Sequence, residues 1–76
     1  MFDVILLEPN GNKPPAPRHT RKEVSTRITL PSARTLARAI AEDGKYTAEI
    51  TKHGNNSCFQ LWDSSGPFYQ SPSFPT

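Results

Sequence analysis

Between Ser32 and Gly44 the apolar residues Ala33, Leu36, Ala37, Ile40 and Ala41 recur at the i, i+3, i+4, i+7, i+8 spacing of one helical face. Arg34, Thr35, Arg38 and Glu42 fall on the opposite face. Ser32 supplies an oxygen that can accept from the free N–H groups of a helix start, and Gly44 suits the left-handed position after a helix end. The pattern predicts a helix from Ser32 to about Asp43. Elsewhere the period is two or the apolar run is short. Phe2 to Leu7 is apolar on both parities and reads as a strand covered on both faces, ended by the turn cluster Glu8-Pro9-Asn10-Gly11-Asn12. Arg21 to Leu30 alternates, with Val24, Thr26, Ile28 and Leu30 expected inward and Arg21, Glu23, Ser25, Arg27 and Thr29 outward. Lys45 to Lys52 alternates again, His53 to Ser57 reads as a hairpin turn, and Cys58 to Asp63 returns as the next strand.

After the turn Asp63-Ser-Ser-Gly66, the stretch Pro67-Phe68-Tyr69 forms either a last short strand or a cover over the core. The expected order is strand, strand, helix, strand, strand: a two-layer α+β domain, with an antiparallel sheet of about four strands and one helix on one face. Residues 1–70 make that single domain. Within it, residues 9–20 form a Pro-rich loop whose three prolines in four positions, Pro14, Pro15 and Pro17, cannot join a sheet ladder. Residues 71–76 are expected as a flexible tail with Phe74 as its one potential anchor.

Size limits what such a fold can do, because a chain of 76 residues buries only about 60 to 65% of the surface exposed by its unfolded form. A deep active site is not expected. The single Cys58 excludes an intramolecular disulfide and a multi-cysteine zinc site. The opening Met1 to Glu8 has no basic leader, and its apolar run is too short for a signal peptide or a membrane span, so a cytoplasmic protein without membrane contact is expected. Charge is uneven: from Lys13 to Arg38 there are seven basic residues and one acidic, 7 − 1 = +6, and the remainder carries 2 − 6 = −4. A basic middle on a mildly acidic frame fits a polyanion or an acidic protein surface as partner, and equally a solvated face.

No catalytic constellation is legible. His19 lies in the Pro-rich loop, His53 in a turn, and Cys58 near His53 reads more simply as a small, partly buried residue than as half of a thiol–imidazole pair. The glycines stand singly at turns, so no phosphate-binding loop is present, and no metal or cofactor is expected. What remains is a surface. The sheet face away from the helix is expected to carry Arg21, Arg27, Gln60 and Trp62 among hydroxyl side chains, where Trp62 serves either as an interface anchor or as core. Arg34 and Arg38, one turn apart on the helix, form a second basic pair, and Arg18 extends the basic segment from the loop. Partner-binding residues are therefore expected among Arg18, Arg21, Arg27, Arg34, Arg38, Gln60 and Trp62, in a monomer or a homodimer joined through exposed edges of the first and fourth strands.

The layout from Phe2 to Gly66 runs through an early apolar strand, a polar strand and a short Ala-rich helix. Gly44-Lys-Tyr-Thr-Ala-Glu-Ile and Cys58-Phe-Gln-Leu-Trp-Asp-Ser-Ser-Gly66 follow. In this it resembles small phage-encoded anti-CRISPR proteins of the type I class. Lys13 to Arg18 and the Pro-rich tail depart from that layout. The resemblance implies a non-catalytic inhibitor that docks on a CRISPR surveillance complex, a ribonucleoprotein, and blocks its access to target DNA. The basic segment 13–38 gives the alternative expectation of direct nucleic-acid binding.

Overall fold

The computed structural model describes residues 1–11 and 19–75. Six elements follow one another: β1 (Phe2–Pro9), β2 (His19–Ile28), α1 (Leu30–Ala41), β3 (Thr47–Lys52), β4 (Asn55–Asp63) and β5 (Gly66–Gln70). The sheet is antiparallel throughout, in the order β2-β1-β3-β4-β5, with the helix on one face. The α+β class is as expected; the strands number five rather than about four, because Gly66–Gln70 pairs with β4. β2 and β3 are both antiparallel to β1 and so run parallel to each other. The helix is the crossover between them, carrying the chain over β1 to its far side.

Helix and sheet meet through small side chains. Ala33, Ala37 and Ala41 are each 0% exposed, and with no bulk beyond a methyl group they let α1 lie close on Val4, Ala48 and Ile50. Phe2, Ile28, Leu30, Leu36 and Ile40 pack around that contact, and α1 sits on β3, β1 and β4. The helix begins two residues earlier than expected. Thr29, not Ser32, is the N-cap, its Oγ1 accepting from the Ser32 N–H at 3.4 Å, and Pro31 stands in the first turn where its missing N–H has no partner to lose. At the other end α1 closes at Ala41 instead of Asp43. Gly44, at φ +79°, then donates its N–H to the Ala41 carbonyl at 3.1 Å.

β2 departs most from its pattern. Its period-two alternation predicts an inward face, yet Val24 is 44% exposed and most of the strand faces solvent. Two causes act together. β2 is an edge strand outside the main footprint of the helix, and it has two register shifts against β1, with Ile5↔Glu23, Val4↔Ser25 and Phe2↔Ile28 paired. Each shift inserts one extra residue and resets which side chain faces inward.

The edges of the sheet are β2 and β5; β1 and β4 are interior, so the expected homodimer edges are closed inside the sheet. β5 is itself poorly suited to strand addition. Asp63↔Gly66 closes a two-residue loop, and the Ser71 N–H donates to the Phe59 carbonyl at 2.9 Å, which fixes the alternation of inward and outward backbone groups. Pro67 then falls where an N–H would point outward, and the shift between Leu61 and Trp62 leaves Phe68 as the extra residue of a bulge. Proline and a bulge both blunt an edge. The segment after β5 is anchored, as Phe74 is buried and packs on Phe2 with ring centroids 5.7 Å apart, and Ser71 is buried.

The close seat of the helix makes its alanines less replaceable than its larger residues. Ala37→Leu is expected to destabilise the fold by about 1–3 kcal/mol through overpacking, read as a lower urea midpoint. Thr29→Ala is expected to cost about 1 kcal/mol through loss of the cap.

Candidate functional site: two arginine straps and an arginine–tryptophan stack

On the sheet face away from the helix, two arginines of the edge strand β2 reach over β1, one to Glu49 on β3 and one to His53 just after it. Arg21 lies opposite Leu7, and Glu49 lies opposite Ile5. The guanidinium and carboxylate meet in a two-pronged pair, Nη1 to Oε1 at 2.8 Å and Nη2 to Oε2 at 3.0 Å. Thr51 Oγ1 also donates to Glu49 Oε2. Glu49 is buried, whereas the Arg21 side chain is more than half exposed. Burial pushes the Glu49 carboxyl upward, but the hydrogen bonds from Arg21 and Thr51 and the adjacent positive charge outweigh it and hold the group below the usual glutamate range. The hydrogen bond to Glu49 in turn raises Arg21. Beside this strap lies a recess of about 310 Å³, lined among the described residues by Arg21, Glu49, Asn56 and Phe59.

The second strap lies at one end of the same face. Asp3 on β1 accepts from the Arg27 backbone N–H at 3.0 Å and from His53 Nδ1 at 3.0 and 3.1 Å. Arg27 Nε donates to His53 Nε2 at 3.2 Å. Among the described residues Arg27 is the one non-glycine with positive φ, +54°, and it stands in the second register shift of β2. The left-handed backbone turns its N–H toward Asp3 and so sets the position of the side chain.

Trp62 and Gln60 are on the helix side, opposite Ala48 and Ile50, and not on the open face expected for them. Trp62 is 3% exposed, so it is core; its Nε1–H donates to Gln60 Oε1 at 2.8 Å, and Gln60 Nε2 donates to Gln70 Oε1 at 3.0 Å. The polar atoms of both buried residues are thus satisfied within the sheet. Parity within Cys58–Asp63 separates two faces but does not say which one meets the helix; the pairing with β3 decides that. Arg38 lies over the Trp62 ring, 5.5 Å from its centroid. A Trp–Arg pairing therefore forms, with the helix supplying the arginine.

The seven residues expected to bind a partner separate into three places. Arg38, Trp62 and Gln60 come together, with Arg34 one turn along the helix from Arg38; Arg21 and Arg27 occupy the two straps; Arg18 lies outside the described residues. Cys58 does not meet His53: it is buried on the helix side, with Sγ 3.5 Å from the Ser73 carbonyl oxygen. Among the described residues no group of three or more metal-ligating side chains is present, and no helix is long and apolar enough to cross a membrane. The sequence reading missed Phe68 and Tyr69, which are 55% and 54% exposed on β5. Their signal was the Asp63-Ser-Ser-Gly66 turn, which announces a returning strand, followed by two aromatics in a stretch without charge from Gly66 to Thr76. Asp3 and Glu49 carried no such signal, since each is one polar residue in a strand.

Comparison with protein-family models, with curated proteins and with solved structures finds no match for this chain.

Removing Arg21 leaves the Glu49 carboxylate buried with Thr51 as its remaining side-chain donor. Arg21→Ala is expected to lower stability by about 1–3 kcal/mol, toward the low end because the guanidinium is half exposed. The acid limb follows from the sign of the shift. Glu49 is depressed in the folded state, so its contribution is present above the unfolded glutamate value and is lost as pH falls through the lower folded one. Glu49→Gln is expected to be less stable at pH 7 and to lose less on acidification, as measured by urea midpoints between pH 7 and pH 3.

Proposed function

We propose that this chain is a small non-catalytic inhibitor or adaptor that binds a protein or ribonucleoprotein partner through aromatic and basic surface residues. In the anti-CRISPR reading, the partner is a CRISPR surveillance complex whose access to target DNA the chain blocks. The observation that carries the binding role is the adjacent pair Phe68 and Tyr69, each more than half exposed on an uncharged edge strand. Exposed aromatic side chains are among the residue types that serve as interface anchors. The hydrogen bonds from Trp62 to Gln60 and from Gln60 to Gln70 connect the place where Arg38 is stacked to β5. A stacked guanidinium is ordered before binding and keeps its edge donors for a carboxylate or phosphate.

Direct nucleic-acid binding by segment 13–38 has one supporting observation, the exposure of Arg21, Lys22 and Arg27 along the edge strand β2. It is the weaker reading, because Arg21 and Arg27 are both engaged with side chains of the same sheet.

Affinity purification from cells with and without a type I CRISPR complex tests the first reading. The wild-type chain is expected to recover that complex. Phe68→Ala and Arg38→Ala are each expected to weaken capture tenfold or more with the fold retained. Recovery of no partner would sink it. Gel-shift titration across a salt series tests the second, for which affinity should fall steeply with salt.

A further inference from the structure

We propose that His53 is a proton-operated latch: when neutral it holds the Arg27 side chain across β1, and when protonated it lets that side chain go. The inference stands on donor and acceptor geometry and is independent of any partner. Asp3, a carboxylate, can only accept, so the proton on Nδ1 of His53 is directed at it, at 3.0 to 3.1 Å. Nε2 then carries the lone pair. That is the atom facing Arg27 Nε at 3.2 Å, and a guanidinium N–H can only donate, so this contact requires an unprotonated Nε2. The neutral ring with its proton on Nδ1 satisfies both neighbours at once.

A proton taken from solvent by Nε2 reverses one contact and strengthens the other. The new N–H confronts the Arg27 N–H, donor against donor, and two cations meet. The bond to Asp3 becomes a charged pair. The Arg27 guanidinium is therefore expelled toward water while His53 stays in place on Asp3, and its own backbone N–H remains bonded to the Met1 carbonyl at 3.0 Å. The Arg27 backbone also stays, since its N–H is held by Asp3 at 3.0 Å. Only the side chain moves.

Four further observations fit a device of this kind. Among the described residues, the ionisable groups in contact with the ring are Asp3 from β1 and Arg27 from β2; Lys52, next to His53 in sequence, is opposite Phe2 and so belongs to the helix side by register. Burial raises Asp3, but its bonds to the Arg27 N–H and to His53 outweigh that and keep the carboxyl below the usual aspartate range, so Asp3 stays a charged acceptor toward Nδ1. The His53 side chain is also 41% exposed, which gives a proton direct access. The left-handed backbone at Arg27 aims this arginine at the ring, a strained position kept where an ordinary strand residue would serve for pairing alone. At low pH the corner would present one freed cationic group, the Arg27 guanidinium, to an anionic surface; at high pH it presents a closed, hydrogen-bonded triad.

An NMR titration of the ¹⁵N-labelled chain from pH 8 to pH 5 tests the latch without any substitution. At pH 8 the His53 ring is expected as the Nδ1–H tautomer, with the Arg27 Nε–H resolved and slow to exchange with water. Through the His53 transition, the Arg27 Nε–H should shift and exchange at least tenfold faster, with the same midpoint. In His53→Gln, whose amide oxygen can accept from Arg27 without titrating, the Arg27 Nε–H is expected to be independent of pH over that range. The proposal is overturned if His53 carries its proton on Nε2 at pH 8, if Arg27 ignores the His53 transition, or if Arg27 keeps the same pH response in His53→Gln.

Discussion

The close approach of α1 to the sheet is the constraint on which the rest of the molecule depends. Ala33, Ala37 and Ala41 present only methyl groups to β1, β3 and β4, so helix and sheet meet at short range and the core beneath them needs few large residues. Only Val4 and Ile50 are large, fully buried side chains among the described residues. A core this lean buries modest apolar area, and bulk has to be placed at its margins. Phe2 and Phe74 close one margin as a tilted ring pair, and Trp62 closes another beside the helix.

That placement explains the arginine–tryptophan stack. Trp62 is buried because it fills the flank of the helix on β4, and its indole N–H is satisfied by Gln60 on the same strand. The ring face left beside the helix is covered by Arg38, whose aliphatic stem and planar head can lie on an aromatic surface while its charge stays in water. One packing problem, a large ring next to a helix that is narrow on its inner side, thus fixes the position of a surface cation. In the proposed binding role that cation is half of the recognition surface.

The opposite face is organised by electrostatics. β2 receives little from the helix, and its ladder to β1 is interrupted by two register shifts. Arg21 and Arg27 compensate by spanning β1 to reach Glu49 and His53 on the β3 side. The two straps differ in kind. The Arg21–Glu49 pair joins permanent charges, one of them buried, and belongs to the stability of the sheet. The Arg27–His53–Asp3 triad has an imidazole between its two charged groups, and in the latch proposed above it is the strap that opens.

The helix, the turns and most strands were legible in the sequence because each rests on local physics: the spacing of Ala33 to Ala41, the glycine at 44, the alternation from Thr47 to Lys52. The burial of β1 on both faces was also legible, since Phe2 to Leu7 is apolar on both parities, but its place inside the sheet and not at an edge was not. The inward face of β2 was not, because alternation shows that one parity is more apolar without showing whether anything lies above it. Trp62 was named as a key residue, but its side of the sheet depended on register and crossover, which no local pattern encodes. The pairings Arg21–Glu49, Arg27–His53 and Arg38–Trp62 join residues 24 or more positions apart. Composition supplied the arginines; which of them is tied down, stacked or free to move was decided only when β2, β1 and β3 lay side by side and the helix settled over them.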